Sequence, residues 1–386
     1  MKRAGYEGVV LACPVTVPYA RYSAQPAPWW IGQALAGVLR AAGMEKHQLD
    51  GFACSSFTLG ADSAVAMTQH LGISPRWLDH VPMGGAAGLV SLRRAARAVQ
   101  AGDADAVAVV AGDTNAPDSF RRLVSGFSRF SADAVYPYGA GGPNLSFALI
   151  TDAYMRHCGA TREDFGRICV AQRANAASFP HALQKKTMTL QDYLAARPIA
   201  DPLVLFDCVM PCAGAEAFLV LREADARAAG MRYVHLAAAI ERHNAFPEDD
   251  VQLRGGWEAD ADEMWAMAGM PPGSVDIVET YDDYPVIVML QFEGLGFCVP
   301  GEAPDFLRGK DLTCAGDLPH NTSGGQLSVG QAGAAGGHLG IVEAIRQLTG
   351  SALGAQVATP RSALVAGFGM INYDRGLCSA AAVLHA

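Results

Sequence analysis

Asp79-His80-Val81-Pro82-Met83-Gly84-Gly85-Ala86-Ala87-Gly88, continuing as LVSLRRAARAVQAGDADAVAVVAGD to Asp113, reads as a strand end, a glycine-rich turn, a buried helix and a second strand. A strand-turn-helix unit of this kind aims a helix N-terminus at a site. A second stretch echoes it. Gly333-Ala334-Ala335-Gly336 opens GHLGIVEAIRQLTG, and in both copies a glycine stands seventeen residues after the first, at Gly102 and Gly350. A chain with 42 glycines repeats four such letters by chance, but the matching helix lengths favour duplication. Two similar halves facing one another are expected.

The 386 residues are long for one core and comfortable for two, and 51% apolar residues supply ample material to bury. A net charge of −9 argues against a nucleic-acid or anionic-membrane surface. The apolar run near the N-terminus, VVLAC, is too short for a signal-peptide core, and no stretch approaches membrane-spanning length. A cytoplasmic protein is expected. Nine scattered cysteines with no CxxC pair indicate neither a disulfide framework nor a structural zinc site.

Along the chain, short Val/Ile/Leu-rich runs alternate with helix-length amphipathic segments, the rhythm of a mostly parallel sheet with helices on its faces. From about 117 to 200 the pattern loosens into a polar, aromatic and basic insertion, within which Thr161 and Asp164 read as a helix N-cap. The strand AFLVLRE closes the first half and EADARAAGMR reads as the linker. The halves are placed at 1–229 and 230–386. The second series runs through YVHLAAAIE, VDIVETYDDY, the PVIVMLQFEGLGF helix, SALVAGFG and CSAAAVLHA.

Several long pieces then become specific: TREDFGRICVAQRANAA, RPIADPLVLFDC with CAGAEAFLVL, ETYDDYPVIVMLQFEGLGFC, and HNTSGGQLSVGQAGAAGG with IVEAIRQL. Over nearly its whole length the chain resembles the thiolase superfamily, most closely the sterol-carrier-protein-type thiolases. That resemblance implies an α/β fold of duplicated βαβαβ halves in five layers, with an inserted loop domain over the active site. It also implies an acyl-CoA ligand, with coenzyme A as part of the substrate, and at least a homodimer.

Thiolases use a cysteine at the start of the first-half helix, a second-half GHP histidine, a later cysteine, and an Asn or His that helps to hold an oxyanion. Carried over by position, the nucleophile falls on Gly85, which has no side chain to acylate. The histidine falls on Gln331, or on Gly330 with the gap placed differently, and neither takes up a proton near neutral pH. The second cysteine falls near Gly367 or Phe368; the nearest real one, Cys378, reads as part of the last strand. Ordinary Claisen chemistry is not expected of such a chain.

Without an acyl-enzyme, the reaction that still passes through a thioester enolate is retro-aldol cleavage of a β-hydroxyacyl-CoA. The resemblance extends to cysteine-free relatives that cleave steroid side chains as aldolases, with tyrosines proposed as acid and base. Tyr281, at the oxyanion-stabilising position, is the first candidate and Tyr373 the second. Glu279, Asp282 and Asp283 either tune Tyr281 or cap the helix that follows, and capping is preferred for Asp283. His320 either reaches the pocket or is structural, and His338 reads as packing or surface. Gly84 and Gly85 offer backbone amides or shape the pocket; Asn321, Gly324 and Gly325, in the NTSGG turn, shape its wall. Arg121, Arg122, Arg129, Arg173, Lys185 and Lys186 lie in or beside the inserted region that the resemblance places over the substrate, where CoA phosphates would want some of them; the alternative is solvated surface charge. The resemblance also implies a small OB-fold and zinc-ribbon partner of the DUF35 type. Two alternatives stand beside the lyase: a non-catalytic scaffold subunit, and an acyltransferase with a non-standard nucleophile.

Overall fold

A computed structural model of the chain describes residues 5–59, 63–117, 137, 139 and 142–386. Eleven strands are present among them: β1 Val9–Ala20, β2 Gly51–Ser55, β3 Trp77–His80, β4 Ala106–Asp113, β5 Pro198–Ala200, β6 Leu203–Val204, β7 Ala213–Arg222, β8 Tyr233–His243, β9 Ile277–Glu279, β10 Ser362–Asn372 and β11 Arg375–His385. Nine of these form one sheet in the order β3-β2-β4-β7-β1-β8-β11-β10-β9. The order contains the duplication. From the middle outward the first half runs β1, β7, β4, β2, β3 and the second runs β8, β11, β10, β9. The halves join where β1 pairs antiparallel with β8 over Val10↔His235, Leu11↔Val234 and Ala12↔Tyr233.

The sheet is mixed rather than mostly parallel. Only β2–β3, β2–β4 and β9–β10 pair in parallel. In each half a returning strand, β7 or β11, runs antiparallel to both neighbours. Strand spacing reveals apolar rhythm, whereas direction depends on where each connection re-enters the sheet. β10 and β11 are joined by the tight turn Tyr373–Asp374, a hairpin that fixes their opposition.

Twelve helices cover the described residues: α1 Ala27–Ala42, α2 Ser63–Leu71, α3 Ala87–Ala101, α4 Pro143–Cys158, α5 Arg162–Ala176, α6 Leu190–Leu194, α7 Glu223–Ala228, α8 Ala261–Ala268, α9 Pro285–Gly294, α10 Ala303–Arg308, α11 Gly325–Val329 and α12 Gly336–Leu348. α3 and α12 lie between the two halves, where Leu89, Leu92, Ile341 and Ile345 share a core with strands of both. α1 packs on the outer face of the first half. α8 and α9 pack on that of the second, together with α4 and α5 from the insertion. Helix, first half of the sheet, helix, second half of the sheet and helix give the five layers. The Thr161 and Asp164 cap is present at α5, with the Thr161 amide and hydroxyl both donating to Asp164 Oδ2 at 2.8 Å. The linker segment is itself partly helical, as α7.

Close approach explains the repeated glycines. A Cβ on Gly88 would stand 2.3 Å from the Gly337 carbonyl oxygen, and one on Gly337 2.6 Å from that of Gly85. Any side chain at either crossing would push α3 and α12 apart. The repeat is offset by one residue from its letters. Gly84 and Gly333, at φ 54° and 53°, each open a short 3-10 turn before their helix, so the structural partner of Gly333 is Gly84.

Candidate active site

The glycine turn before α3, the β9–α9 segment, the turn before α12 and the end of β10 meet around one pocket of about 60 Å³, partly open to solvent. Gly84 and Gly85 form one side, Tyr281, Asp283 and Tyr284 a second, and Gln331 a third. Apolar walls come from Phe57, Val209 and Phe368 to Ile371, and from Pro143 and Phe147 of α4. Five residues singled out from the sequence, Gly84, Gly85, Tyr281, Asp283 and Gln331, therefore converge here. A Cβ on Gly85 would fall 2.1 Å from both Cε2 and Cζ of Tyr281 and 2.4 Å from the Phe368 carbonyl oxygen. The tyrosine ring thus fills the space of any side chain at residue 85.

Tyr281 is held from several directions. Its amide donates to Gln291 Oε1 at 3.0 Å, and its carbonyl accepts from Gln291 Nε2 at 2.7 Å. Gln331 Nε2 donates to the Tyr281 hydroxyl at 3.1 Å. Gln331 is itself pinned by its backbone, its amide donating to Met210 and its carbonyl accepting from Cys212. Burial, with Asp283 nearby, pushes the Tyr281 hydroxyl well above the ordinary tyrosine range, although the Gln331 bond opposes the rise. Tyr281 is therefore a neutral phenol at neutral pH, able to donate a proton but not standing ready as a base.

The acids beside it divide by direction. Tyr281 and Asp283 line the pocket, whereas Asp282 turns away to accept the Gln326 and Leu327 amides at 2.9 and 3.1 Å, at the start of α11. Burial lifts Asp282 to about 6 even so. Among the described residues Asp283 accepts only backbone amides, that of Tyr284 at 3.0 Å, and does not cap α9, contrary to the capping expectation. Burial and the adjacent Asp282 raise its carboxyl well above the usual range. Glu279 is buried elsewhere, accepting the Thr322 hydroxyl at 2.8 Å.

Other expected site residues lie outside this pocket. His320 is fully buried against Phe292, with Nε2 2.8 Å from Thr280 Oγ1, and burial depresses it to about 3, so it is neutral and structural. Asn321 Oδ1 accepts the Thr280 amide at 2.8 Å. A Cβ on Gly325 would meet Asp282 Oδ2 at 2.1 Å and one on Gly324 the Ala176 Cβ at 2.4 Å. The NTSGG turn thus supports Asp282 from behind rather than forming the pocket wall. Tyr373 sits in the β10–β11 turn, 44% exposed, away from the pocket lining. His338 is buried on α12. Arg173 is buried with Nε on Ser328 Oγ, which leaves it poorly placed for a phosphate; Lys185 and Lys186 are exposed, and Arg121, Arg122 and Arg129 lie outside the described residues. Among the described residues no cysteine, serine or lysine lines the pocket, and Cys378, opposite Gly369 on β11, is buried and pushed up to about 12.

Asp113, at the end of β4, was not singled out from the sequence. It accepts the Ser56 hydroxyl at 2.6 Å, the Phe57 and Thr58 amides at 3.0 Å, and the Ala334 amide at 2.8 Å. One carboxylate thus ties the Phe57 wall to the turn that carries Gln331. Tyr284 and Phe147, whose rings stack at 3.9 Å, were also missed. The aromatic and acidic letters of ETYDDYP were the available signal.

Residues 237–378 match the family described as thiolase C-terminal domain-like. The chain is 31% identical to the 17-hydroxy-3-oxo-4-pregnene-20-carboxyl-CoA lyase of Mycobacterium tuberculosis, over 88% of this chain and 90% of the lyase. It belongs to the thiolase-like family. This thiolase-like chain is also 30% identical to a steroid side-chain-cleaving aldolase of Thermomonospora curvata, over 83% of its own length and 85% of the aldolase's. Its fold matches the solved Ltp2-ChsH2(DUF35) aldolase with a TM-score of 0.84 at 26% identity, covering 98% of both chains. Among the described residues of the thiolase-like chain no helix is long and apolar enough to cross a membrane, and no group of three or more His, Cys, Asp or Glu could hold a metal ion.

Proposed function

We propose that this protein cleaves the Cα–Cβ bond of a β-hydroxyacyl-CoA by a retro-aldol reaction, without an acyl-enzyme. The observation that carries this reading is the Tyr281 ring standing where a nucleophile's side chain would project from residue 85, with its hydroxyl held by Gln331. A neutral phenol there can protonate the α-carbon of a thioester enolate as the bond breaks. Gly84 and Gly85, at the start of α3, bring backbone and a helix N-terminus to the side where the enolate oxygen develops.

The relatives support a bulky substrate. The one named for the Mycobacterium tuberculosis lyase has its hydroxyl on carbon 17 and its thioester on carbon 20, itself a β-hydroxyacyl pattern. Phe57, Phe147, Phe368 and Met370 offer the apolar walls that such a tail requires. The full reading includes a homodimer, halves divided at 229/230, a cytoplasmic setting and a DUF35-type partner, the last supported by the solved aldolase of similar fold.

The test is to incubate the full chain, alone and with a DUF35-type partner, with 17-hydroxy-3-oxo-4-pregnene-20-carboxyl-CoA and no free CoA, and to weigh the products. A ketone at carbon 17 and propionyl-CoA are expected, together accounting for every atom of the substrate. Cleavage only with added CoA, or an acyl adduct on the protein, would overturn the reading.

A further inference from the structure

We infer that the Asp283 carboxylate is the base that takes the substrate's hydroxyl proton, while Tyr281 gives a proton to the α-carbon. The inference rests on the lyase reading above and assigns its missing base. Three titratable side chains line the pocket among the described residues: Tyr281, Asp283 and Tyr284. Both tyrosines are held neutral by burial. Tyr284 is further committed, its hydroxyl donating to Asn144 Oδ1 and its ring stacked on Phe147. Asp283 is the remaining acceptor.

Its surroundings leave it available. Asp282, the next acid along, is consumed by two amides of α11, whereas Asp283 lines the pocket. No side chain among the described residues donates to Asp283; its protein bonds come from backbone amides. Among the described residues no arginine, lysine or histidine lines the pocket to neutralise it, and the titratable groups coupled to it are Asp282, Tyr281 and Tyr284. A carboxylate kept unpaired and water-poor has its basicity moved toward the working pH.

The step balances without a co-reactant. Asp283 accepts the hydroxyl proton, and the O–H electron pair becomes the second bond of the new carbonyl. The Cα–Cβ pair passes to the α-carbon and its thioester as an enolate. Tyr281 protonates that carbon, and the tyrosinate recovers a proton from the carboxylic acid at Asp283, which restores both groups. Ketone and shortened acyl-CoA leave.

The experiment compares wild type, Asp283→Asn and Asp283→Glu as full chains, with the partner present, on the 17-hydroxy thioester named above. Turnover in Asp283→Asn should fall by about 100-fold or more, with propionyl-CoA binding within about two-fold of wild type. The acid limb of the wild-type kcat/KM profile should vanish from the residual activity of Asp283→Asn and move in Asp283→Glu. Turnover of Asp283→Asn within about three-fold of wild type would overturn the inference while leaving the lyase reading intact. If wild type cleaves nothing, both fall. Should Asp283→Asn lose propionyl-CoA binding too, Asp283→Glu decides, and an unmoved acid limb there overturns the assignment.

Discussion

Tyr281 and Gly85 share one volume: the Cζ of the ring lies 2.1 Å from where a β-carbon at residue 85 would stand. Filling position 85 therefore displaces the phenol. Gly85→Ala is expected to destabilise the fold by about 1–3 kcal/mol, the usual range for overpacking, and to abolish turnover. Gly85→Cys behaves likewise and yields no acyl-enzyme. Combining Gly85→Ala with Tyr281→Ala recovers part of the lost stability, because the two sites couple directly. Urea denaturation of the three variants measures this, and strictly additive losses would contradict the shared volume.

Tyr281→Phe keeps the ring and removes the hydroxyl that Gln331 contacts at 3.1 Å. Stability should change by only about 1 kcal/mol, as for one hydrogen bond. Turnover should drop by about 100-fold or more as the proton donor is lost. A variant that retains wild-type rates in a product mass assay would remove Tyr281 from the chemistry.

Gln291 is a positioning residue. It never reaches the pocket lining, yet its amide group bonds both the N–H and the C=O of Tyr281 and also the Ile287 carbonyl. Gln291→Met leaves those buried groups without a partner, a loss of about 2–4 kcal/mol. At temperatures where the variant stays folded, kcat should fall more than KM rises, which a purely structural role would not produce. Gln291→Glu keeps the acceptor for the Tyr281 amide but loses the donor, so its kcat should lie between the two.

Glu216 sets an alkaline limit on stability. Burial lifts its carboxyl to about 8, against the pull of Arg346 and of the Thr16 hydroxyl, which donates to Glu216 Oε2 at 2.7 Å. The folded pKa lies above the unfolded one, so the protonated form favours the fold. Its contribution is whole below the unfolded pKa and disappears as pH rises through about 8. Thermal midpoints of wild type should decline across that window, and Glu216→Gln should flatten the decline. An identical slope in both proteins would show that another group governs it.

Sequence makes the halves legible because glycine turns and buried helices repeat, and it exposes the reactive positions because Gly85 and Gln331 are residues that cannot do nucleophile or base work. It does not reveal which of two adjacent acids faces inward. That choice depends on the α11 amides that capture Asp282 from 44 and 45 positions away. Sequence leaves His320 open between pocket and structural roles and puts Asn321 in the pocket wall, but Thr280 engages both from behind. Tyr373 follows the β10 strand closely in sequence, yet the tight hairpin carries it out to solvent. Strand direction is hidden for the same reason: it belongs to the connection, and the letters of the strand do not record it.

Asp113 gives the site a place in time. Its carboxylate waits for the Ala334 amide, made 221 residues later, and the wall from Phe368 to Ile371 follows later still. On a ribosome the first half can emerge and collapse with its end of the pocket unfinished, since contacts of such separation form only once both partners exist. The closed pocket is thus a property of the finished chain, and an interrupted one has only an open end of it to offer.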